Sequence, residues 1–386
     1  MKKQNYRNVF AEIGKSEQEI NDRLKEVVNE FFYGKDKVYF PVGDDMAYIE
    51  DTGNHDARTE GMSYGMMMCV QLDMKEEFDR LWKWAKTYMY MDRGRNEGYF
   101  AWSCQVTGEK NAYGPAPDGE EFFAMSLFFA SHRWGDGEGI FNYSEQAKEI
   151  LKACIHKGEN GREGAPMWNH DNKQILFVPG SDFTDASYHL PHFYELFAQW
   201  AYEEDRAFFA EAVKASRDYL AKACHPVSGM NPEYGEFDGS PMSRQLPWGG
   251  DRHDWFYSDA YRTAANIGLD YEWCGEDAGQ RVAAERLQYC LGVTHKENPY
   301  RIFEVDGTPI DKEALHPIGI LATTAQASLA VEGPLTLDNE DATKALAAEW
   351  VERFWNEPMR KGNRRYYDNC LYMFAFLALS GNYRMW

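Results

Sequence analysis

The chain has 386 residues, of which 44% are hydrophobic, and its formal net charge is −21 at neutral pH. A surface this acidic argues against nucleic acid or an anionic membrane as a partner, because binding phosphate groups requires a basic surface. No proline-, serine- or glycine-rich linker divides the sequence, so we expect a single domain over residues 1–386. A chain of this length can form a core that is stable without disulfide bonds or structural metal ions.

The cysteines and the N-terminus predict a cellular compartment. The seven cysteines form no CxxC pair, which argues against a zinc site, and their odd number argues against a complete disulfide framework. The N-terminus lacks the apolar stretch of a signal peptide, and no apolar run reaches the length of a membrane span. We therefore expect a cytoplasmic protein that has no metal, no cofactor and no obligate protein partner.

Apolar spacing interrupted by helix breakers predicts twelve helical segments. The first segment opens with Ser16 and Glu19 at the spacing of a capping box. The segments begin near residues 16, 59, 75, 119, 143, 184, 206, 256, 276, 317, 338 and 365.

The segments alternate in character along the chain. Odd-numbered segments, such as KEEFDRLWKWAKTYMYM, have one apolar stripe and one charged face, whereas even-numbered ones, such as NCLYMFAFLALSG, are apolar or small nearly all round. Six buried helices alternating with six amphipathic ones predict an all-α fold, an (α/α)6 barrel with an inner and an outer ring. An irregular bundle or a helical solenoid is the alternative. In the barrel, all inner helices point their positive N-terminal ends at one face.

Polar residues collect at these predicted N-terminal ends. Glu60 opens the second segment, Asp118 precedes the fourth, and Tyr188 lies near the start of the sixth. The remaining inner segments have at this end Asp259 and Arg262, His316, and Tyr367. The barrel would bring all of these residues to one cleft.

Two of the carboxylates suit glycosidic bond cleavage. Glu60 is a lone carboxylate in an apolar segment, where burial raises its pKa and allows it to act as a general acid near neutral pH. Asp259 lies one helical turn before Arg262, whose charge would keep it ionised. A protonated acid for the leaving oxygen, with an ionised partner for water or for direct attack, is what this reaction requires.

Each of the other candidates has a purely structural alternative. Asp118 would serve equally well as a turn or helix-capping residue. Asp259 and Arg262 would equally form a structural ion pair. His189 and His192, on one face of the predicted sixth helix, are more typical of core histidines than of metal ligands, because no third ligand is evident.

Several long motifs resemble glycoside hydrolase family 8, and more closely its reducing-end xylose-releasing exo-oligoxylanase branch. The resemblance runs over nearly the whole chain. The motifs are RTEGMSYGMMM (58–68), PAPDGEE (115–121), SYHLPHFYELF (187–197), SDAYRTAANIGLD (258–270), LHPIGI (315–320) and GNRRYYDNCLYMFAFLALSGN (362–382).

The resemblance implies an (α/α)6 barrel that hydrolyses xylo-oligosaccharides with inversion. Glu60 would be the general acid and Asp259 the general base that activates water. Asp118 would bind the sugar in subsite −1 and favour its distorted ring. Tyr188 would help to hold the water, and Arg262 would orient Asp259.

The same resemblance implies how the cleft is closed. In the kink Leu315-His316-Pro317, His316 would hydrogen-bond the anomeric hydroxyl and close the cleft after one reducing-end sugar. We also expect Trp102 and Tyr367 to contact the substrate, because flat amphipathic rings stack on the apolar faces of sugars.

Some alternatives remain open from the sequence. Asp251 and Asp254 are rival bases, because the stretch around them matches the family pattern least well. An endo-acting xylanase or glucanase is the alternative within the family. From another class, sugar epimerases with the same barrel use histidine pairs, for which His189, His192 and His316 are the candidates.

Overall fold

The computed structural model describes residues 5–246, 252–275 and 278–386. Thirteen α-helices lie within these residues, and none of them is long and apolar enough to cross a membrane. They are α1 (Val9–Glu12), α2 (Glu17–Phe32), α3 (Thr59–Leu72), α4 (Lys75–Trp84), α5 (Pro117–Trp134), α6 (Tyr143–His156), α7 (Pro191–Trp200), α8 (Arg206–Ala223), α9 (Arg262–Cys274), α10 (Ala278–Tyr289), α11 (Pro317–Gln326), α12 (Ala342–Asn356) and α13 (Arg365–Leu379).

Six helices form a closed inner ring. Helices α3, α5, α7, α9, α11 and α13 each contact the next in this order, and α13 contacts α3. The alternating helices form the outer layer, and burial separates the two classes: 14 of the 15 residues of α13 are buried, against 4 of the 16 of α2. The predicted (α/α)6 barrel is confirmed, and the closed ring rules out the irregular bundle and the solenoid.

Short strands lie in the loops between the helices, and the sequence did not predict them because they are too short to show an alternating pattern. They are β1 (Tyr39–Val42), β2 (Met46–Ile49), β3 (Asp56–Arg58), β4 (Ser103–Gln105), β5 (Thr184–Asp185), β6 (Tyr234–Gly235), β7 (Trp255–Phe256), β8 (Arg301–Glu304) and β9 (Pro309–Glu313). All pairs are antiparallel: β1 with β2, β3 with β4, β5 with β6, and β8 with both β7 and β9. Strands β3, β5, β7 and β9 come shortly before inner helices and so help to fix their N-terminal ends.

Most of the predicted helix starts agree with the structure. The capping box of Ser16 and Glu19 is present at the start of α2. Helix α5 begins two residues earlier than predicted, at Pro117, a favoured first helical residue. Asp118 therefore lies inside the first turn of α5 and does not precede the helix. Asp341 caps α12, which begins four residues later than predicted.

Two inner helices begin later than predicted, for local reasons. Residues 184–188 form β5 and a 3-10 turn, and the ring of Pro191 disfavours helical backbone at the residue before it, so α7 begins at Pro191. His189 precedes this helix, so the prediction that His189 and His192 share a helix face is wrong. A second 3-10 turn, Ser258–Tyr261, comes before α9 and contains Asp259.

Inner helices α9 and α11 approach each other at Gly268. A Cβ atom on this residue would lie 2.4 Å from the carbonyl oxygen of Gln326 at the end of α11. The side-chain amide of Gln326 in turn donates to the carbonyl of Ala265 at 3.1 Å. Because backbone atoms cannot move aside as a side chain does, this contact requires glycine.

We predict that Gly268→Ala lowers the free energy of unfolding by about 1–3 kcal/mol, because the added methyl group overpacks the contact between two inner helices. Urea denaturation measures the change. Gly114→Ala is the control, since a Cβ at Gly114 meets no atom within 4 Å and should leave stability unchanged within about 0.5 kcal/mol. A Gly268→Ala variant that is as stable as the wild type would contradict the close approach of α9 to α11.

Candidate active site

A cleft of about 700 Å³ opens at the N-terminal ends of the inner helices. Residues at or just before the start of all six helices line it, which confirms that these ends share one face. Of the predicted residues, those lining the cleft are Glu60, Trp102, Asp118, Tyr188, Asp259, His316 and Tyr367. Arg262 lies behind them with only 5% of its side chain exposed.

Arg262 joins the acidic residues into one cluster. Its Nη1 donates to Glu60 Oε2 at 3.1 Å and to Asp118 Oδ2 at 2.8 Å. The same nitrogen donates to the Tyr64 hydroxyl at 2.8 Å, and Nη2 lies 3.3 Å from Asp259 Oδ1. The predicted contact between Arg262 and Asp259 is present, but Arg262 serves three carboxyl groups and not Asp259 alone.

Burial and two acidic neighbours raise the pKa of Glu60, and Arg262 offsets only part of that rise. Nη1 of Arg262 has two hydrogens and three oxygen neighbours, and Glu60 is the most distant of the three. Burial raises the pKa of Glu60 to about 7, and the charges of Asp118 and Asp259 act in the same direction. Arg262 and a 2.7 Å hydrogen bond from the Tyr366 hydroxyl to Oε1 oppose the rise without cancelling it. Glu60 therefore holds its proton below pH 7 and loses it above.

Asp259 has a different environment. Its side chain is 25% exposed to the cleft, compared with 6% for Asp118. The Tyr367 hydroxyl lies 3.3 Å from Asp259 Oδ1 and also 3.3 Å from the Ser258 carbonyl. Ser258 has a φ of 45°, a left-handed backbone that is unfavourable for serine and that fixes how the chain enters the turn holding Asp259. The side chain of Glu60 is 16% exposed, so the site pairs a carboxyl group of raised pKa with a carboxylate that is more open to water.

One carboxylate oxygen of Asp118 contacts its own helix, and the other contacts Arg262. Its Oδ1 accepts from the backbone N–H of Gly119 at 2.9 Å, within the first turn of its own helix, while Oδ2 faces Arg262. Burial raises the pKa of Asp118, and Arg262 lowers it. The N-cap residue of α5 is Ala116, with no side-chain capping bond, so the helix-capping alternative does not describe Asp118.

Aromatic rings lie along the rest of the cleft. Arg262 lies 5.4 Å from the centre of the Tyr188 ring, and Arg58 lies 5.3 Å from the Trp102 ring. The Trp102 side chain is 38% exposed, so it offers a flat surface to a ligand.

The rival candidates that the structure describes have partners outside the cleft. Asp254 accepts two hydrogen bonds from Arg252, at 2.8 and 2.6 Å, and does not line the cleft, while Asp251 lies outside the described residues. His189 is buried between Thr184 and Ser216, and burial lowers its pKa to about 3. Burial also lowers the pKa of His192 to about 3.

Neither of these two histidines lines the cleft, where His316 is the only predicted histidine. The core interpretation of His189 and His192 is confirmed. The histidine pair needed by the epimerase alternative is not assembled in this cleft.

Several contributing residues were not predicted. Tyr64 follows Glu60 by four residues and therefore lies on the same helix face, a spacing that would have revealed it. The sequence does not give the rotation of α13 about its axis, so it could not show which of Tyr366 and Tyr367 contacts Glu60. Glu233 was not predicted because it lies in an irregular segment just before β6. Burial and the nearby charge of Asp259 raise its pKa to about 7, and its carboxylate bonds His253 Nδ1 at 2.6 Å.

Proteins named for a glycoside hydrolase activity are similar to this chain in sequence and fold. The signature of glycosyl hydrolases family 8 matches residues 44–381. The chain is 54% identical over 387 residues to a reducing end xylose-releasing exo-oligoxylanase of Halalkalibacterium halodurans, covering 99% of this chain and 94% of that protein. It is also 54% identical over 383 residues to the reducing-end xylose-releasing exo-oligoxylanase Rex8A of Paenibacillus barcinonensis, covering 99% and 97% of the two chains.

The structural similarity is equally extensive. The structure of Rex8A complexed with xylose matches this fold with a TM-score of 0.92 at 53% sequence identity, covering 98% of this chain and 97% of that one. The family signature spans the part of the chain that holds every cleft residue described above. This chain therefore belongs to glycoside hydrolase family 8.

Proposed function

We propose that this chain is an inverting glycoside hydrolase that releases xylose from the reducing end of short β-1,4-xylo-oligosaccharides. One observation carries the proposal: Glu60, with a raised pKa, and the partly exposed Asp259 line one cleft that also holds His316. Relatives that are 54% identical over nearly the whole chain carry the name of this activity.

In the proposed reaction, Glu60 donates its proton to the glycosidic oxygen as the bond to the anomeric carbon breaks. Asp259 accepts a proton from a water molecule whose oxygen attacks the same carbon from the opposite face. Two proton exchanges with solvent then restore the starting state. The 25% exposure of the Asp259 side chain gives water access to this carboxylate.

The neighbouring residues would support this chemistry. Asp118 would bind the sugar in subsite −1 and favour its distorted ring, and Tyr188 would help to hold the water. Arg262 would keep Asp259 oriented from its position 3.3 Å away. Trp102 and Tyr367 would supply flat surfaces for the sugars.

His316 would limit the cleft to one sugar beyond the scissile bond by hydrogen-bonding the anomeric hydroxyl. An endo-acting enzyme needs this end of the cleft open for a longer chain. Leu315 and His316 line the cleft, which favours the exo-acting function over the endo-acting alternative.

We further propose that residues 1–386 act as one catalytic domain in the cytoplasm. One hydrophobic core includes residues from Val9 to Tyr383, which supports a single unit. All seven cysteines are free thiols, which suits a reducing compartment that receives short imported oligosaccharides.

We predict that the enzyme cleaves xylotriose about 10-fold to 100-fold faster, in kcat/KM, than its reduced form xylotriitol, because the alditol lacks the ring and anomeric hydroxyl that His316 would bind. Product chromatography should show xylose and xylobiose from xylotriose. Equal cleavage of the two substrates would exclude the reducing-end specificity.

We predict that Glu60→Gln lowers kcat on xylotriose by about 10²- to 10⁴-fold, because an amide cannot donate the proton that the leaving oxygen needs. Calorimetry should give this variant a Kd for xylotriose close to the wild-type KM. The matched control is Glu272→Gln, a buried position on α9 that does not line the cleft, which should keep wild-type kcat. Full activity of Glu60→Gln would rule out Glu60 as the acid.

A further inference from the structure

The first turn of α13 contacts three functional residues of the cleft with three consecutive side chains. Tyr366 bonds Glu60, and Tyr367 lies against Asp259. The next residue, Asp368, accepts a hydrogen bond from His316 Nδ1 at 3.0 Å. Successive residues on a helix point about 100° apart, so one turn can reach three separate groups.

Asp368 is fully buried, and three N–H donors converge on its two oxygens. Oδ2 accepts from His316 Nδ1 and from the Arg360 guanidinium, and Oδ1 accepts from the backbone N–H of Gly319 at 2.7 Å. Arg360 also donates to the carbonyl of Leu315 at 2.6 Å. Asp368 and Arg360 together therefore hold both the ring of His316 and the backbone on either side of it.

This arrangement also selects the tautomer of His316. A carboxylate beside an arginine is ionised and can only accept, so the proton of the neutral imidazole must be on Nδ1. Nε2 is then a hydrogen-bond acceptor on a residue that lines the cleft. The Tyr367 ring, with its centre 4.7 Å from that of His316, limits rotation of the imidazole.

We propose that Asp368, supported by Arg360, is a positioning residue for reducing-end specificity: it holds His316 with Nε2 turned to the cleft, ready to accept from the anomeric hydroxyl of the terminal sugar. This inference rests on the proposed function, because it assigns a partner to the residue that would recognise the reducing end.

Asparagine at this position cannot replace aspartate. Its amide has one acceptor oxygen and one donor NH₂ group, whereas the site presents three donors to two oxygens. Either the Gly319 N–H or the pair of donors from His316 and Arg360 would face the NH₂ group. In the second case His316 would shift its proton to Nε2, and the acceptor in the cleft would be lost.

The test compares kcat/KM for xylotriose with kcat/KM for xylotriitol in the wild type and in Asp368→Asn. We expect the ratio to fall by about 10-fold or more, because only the native substrate uses the oriented imidazole. Arg360→Met, at a partly exposed position, should lower the ratio in the same direction and provides the test if Asp368→Asn does not fold.

The matched control is Asp270→Asn, another buried aspartate of an inner helix, which bonds Arg217 at 3.0 and 2.8 Å and does not line the cleft. It should lower stability without changing the ratio. In a His316→Ala background, Asp368→Asn should change the ratio no further, since both act through the same imidazole.

An unchanged ratio in Asp368→Asn or Arg360→Met would overturn the proposal, as would a further fall in the His316→Ala background. A wild-type ratio of one would instead show that the proposed reducing-end specificity itself is wrong.

Discussion

The buried guanidinium of Arg262, shared among three carboxyl groups, is the interaction on which the site depends. One positive charge cannot balance Glu60, Asp118 and Asp259 together, and burial favours the neutral form of Glu60, which therefore retains its proton near neutral pH. The positive N-terminal ends of the inner helices favour ionised carboxylates. The raised pKa of Glu60 therefore arises from burial and from its acidic neighbours, in spite of those helix ends.

The barrel supplies the geometry for this sharing. A closed ring of six inner helices places residues from distant parts of the sequence at one end, and the short strands before four of these helices fix how the chain enters them. The first turn of α13 then connects the proposed acid Glu60, the proposed base Asp259 and His316 through Tyr366, Tyr367 and Asp368. In the proposed mechanism, one helix turn thereby links catalysis and substrate selection, which suits a site that must align a water molecule and a chain end together.

The sequence predicted the barrel well because inner helices, buried on all sides, and outer helices, buried on one face, have different patterns of apolar residues. Proline and capping residues also mark several helix starts. Glu60 was identifiable as a lone charge in an apolar helix, and Arg262 by its spacing from Asp259. The sharing of Arg262 with Asp118 and Glu60 could not be predicted, because it depends on three helices meeting. The sequence places Asp368 at the start of the last helix, but its role could not be predicted for the same reason, since its partners come from a preceding helix start and an irregular loop.

The ionisation of Glu60 in the free enzyme tests the central claim most directly. It can be followed by ¹³C NMR of glutamate labelled at the side-chain carboxyl, with Glu60→Gln identifying the resonance. Burial and the charges of Asp118 and Asp259, offset only in part by the shared guanidinium, predict a pKa of about 7, so that the proton is held below this pH and lost above it. A pKa near the ordinary value of 4.5 would show that Arg262 neutralises Glu60 fully and would contradict its assignment as the resting proton donor.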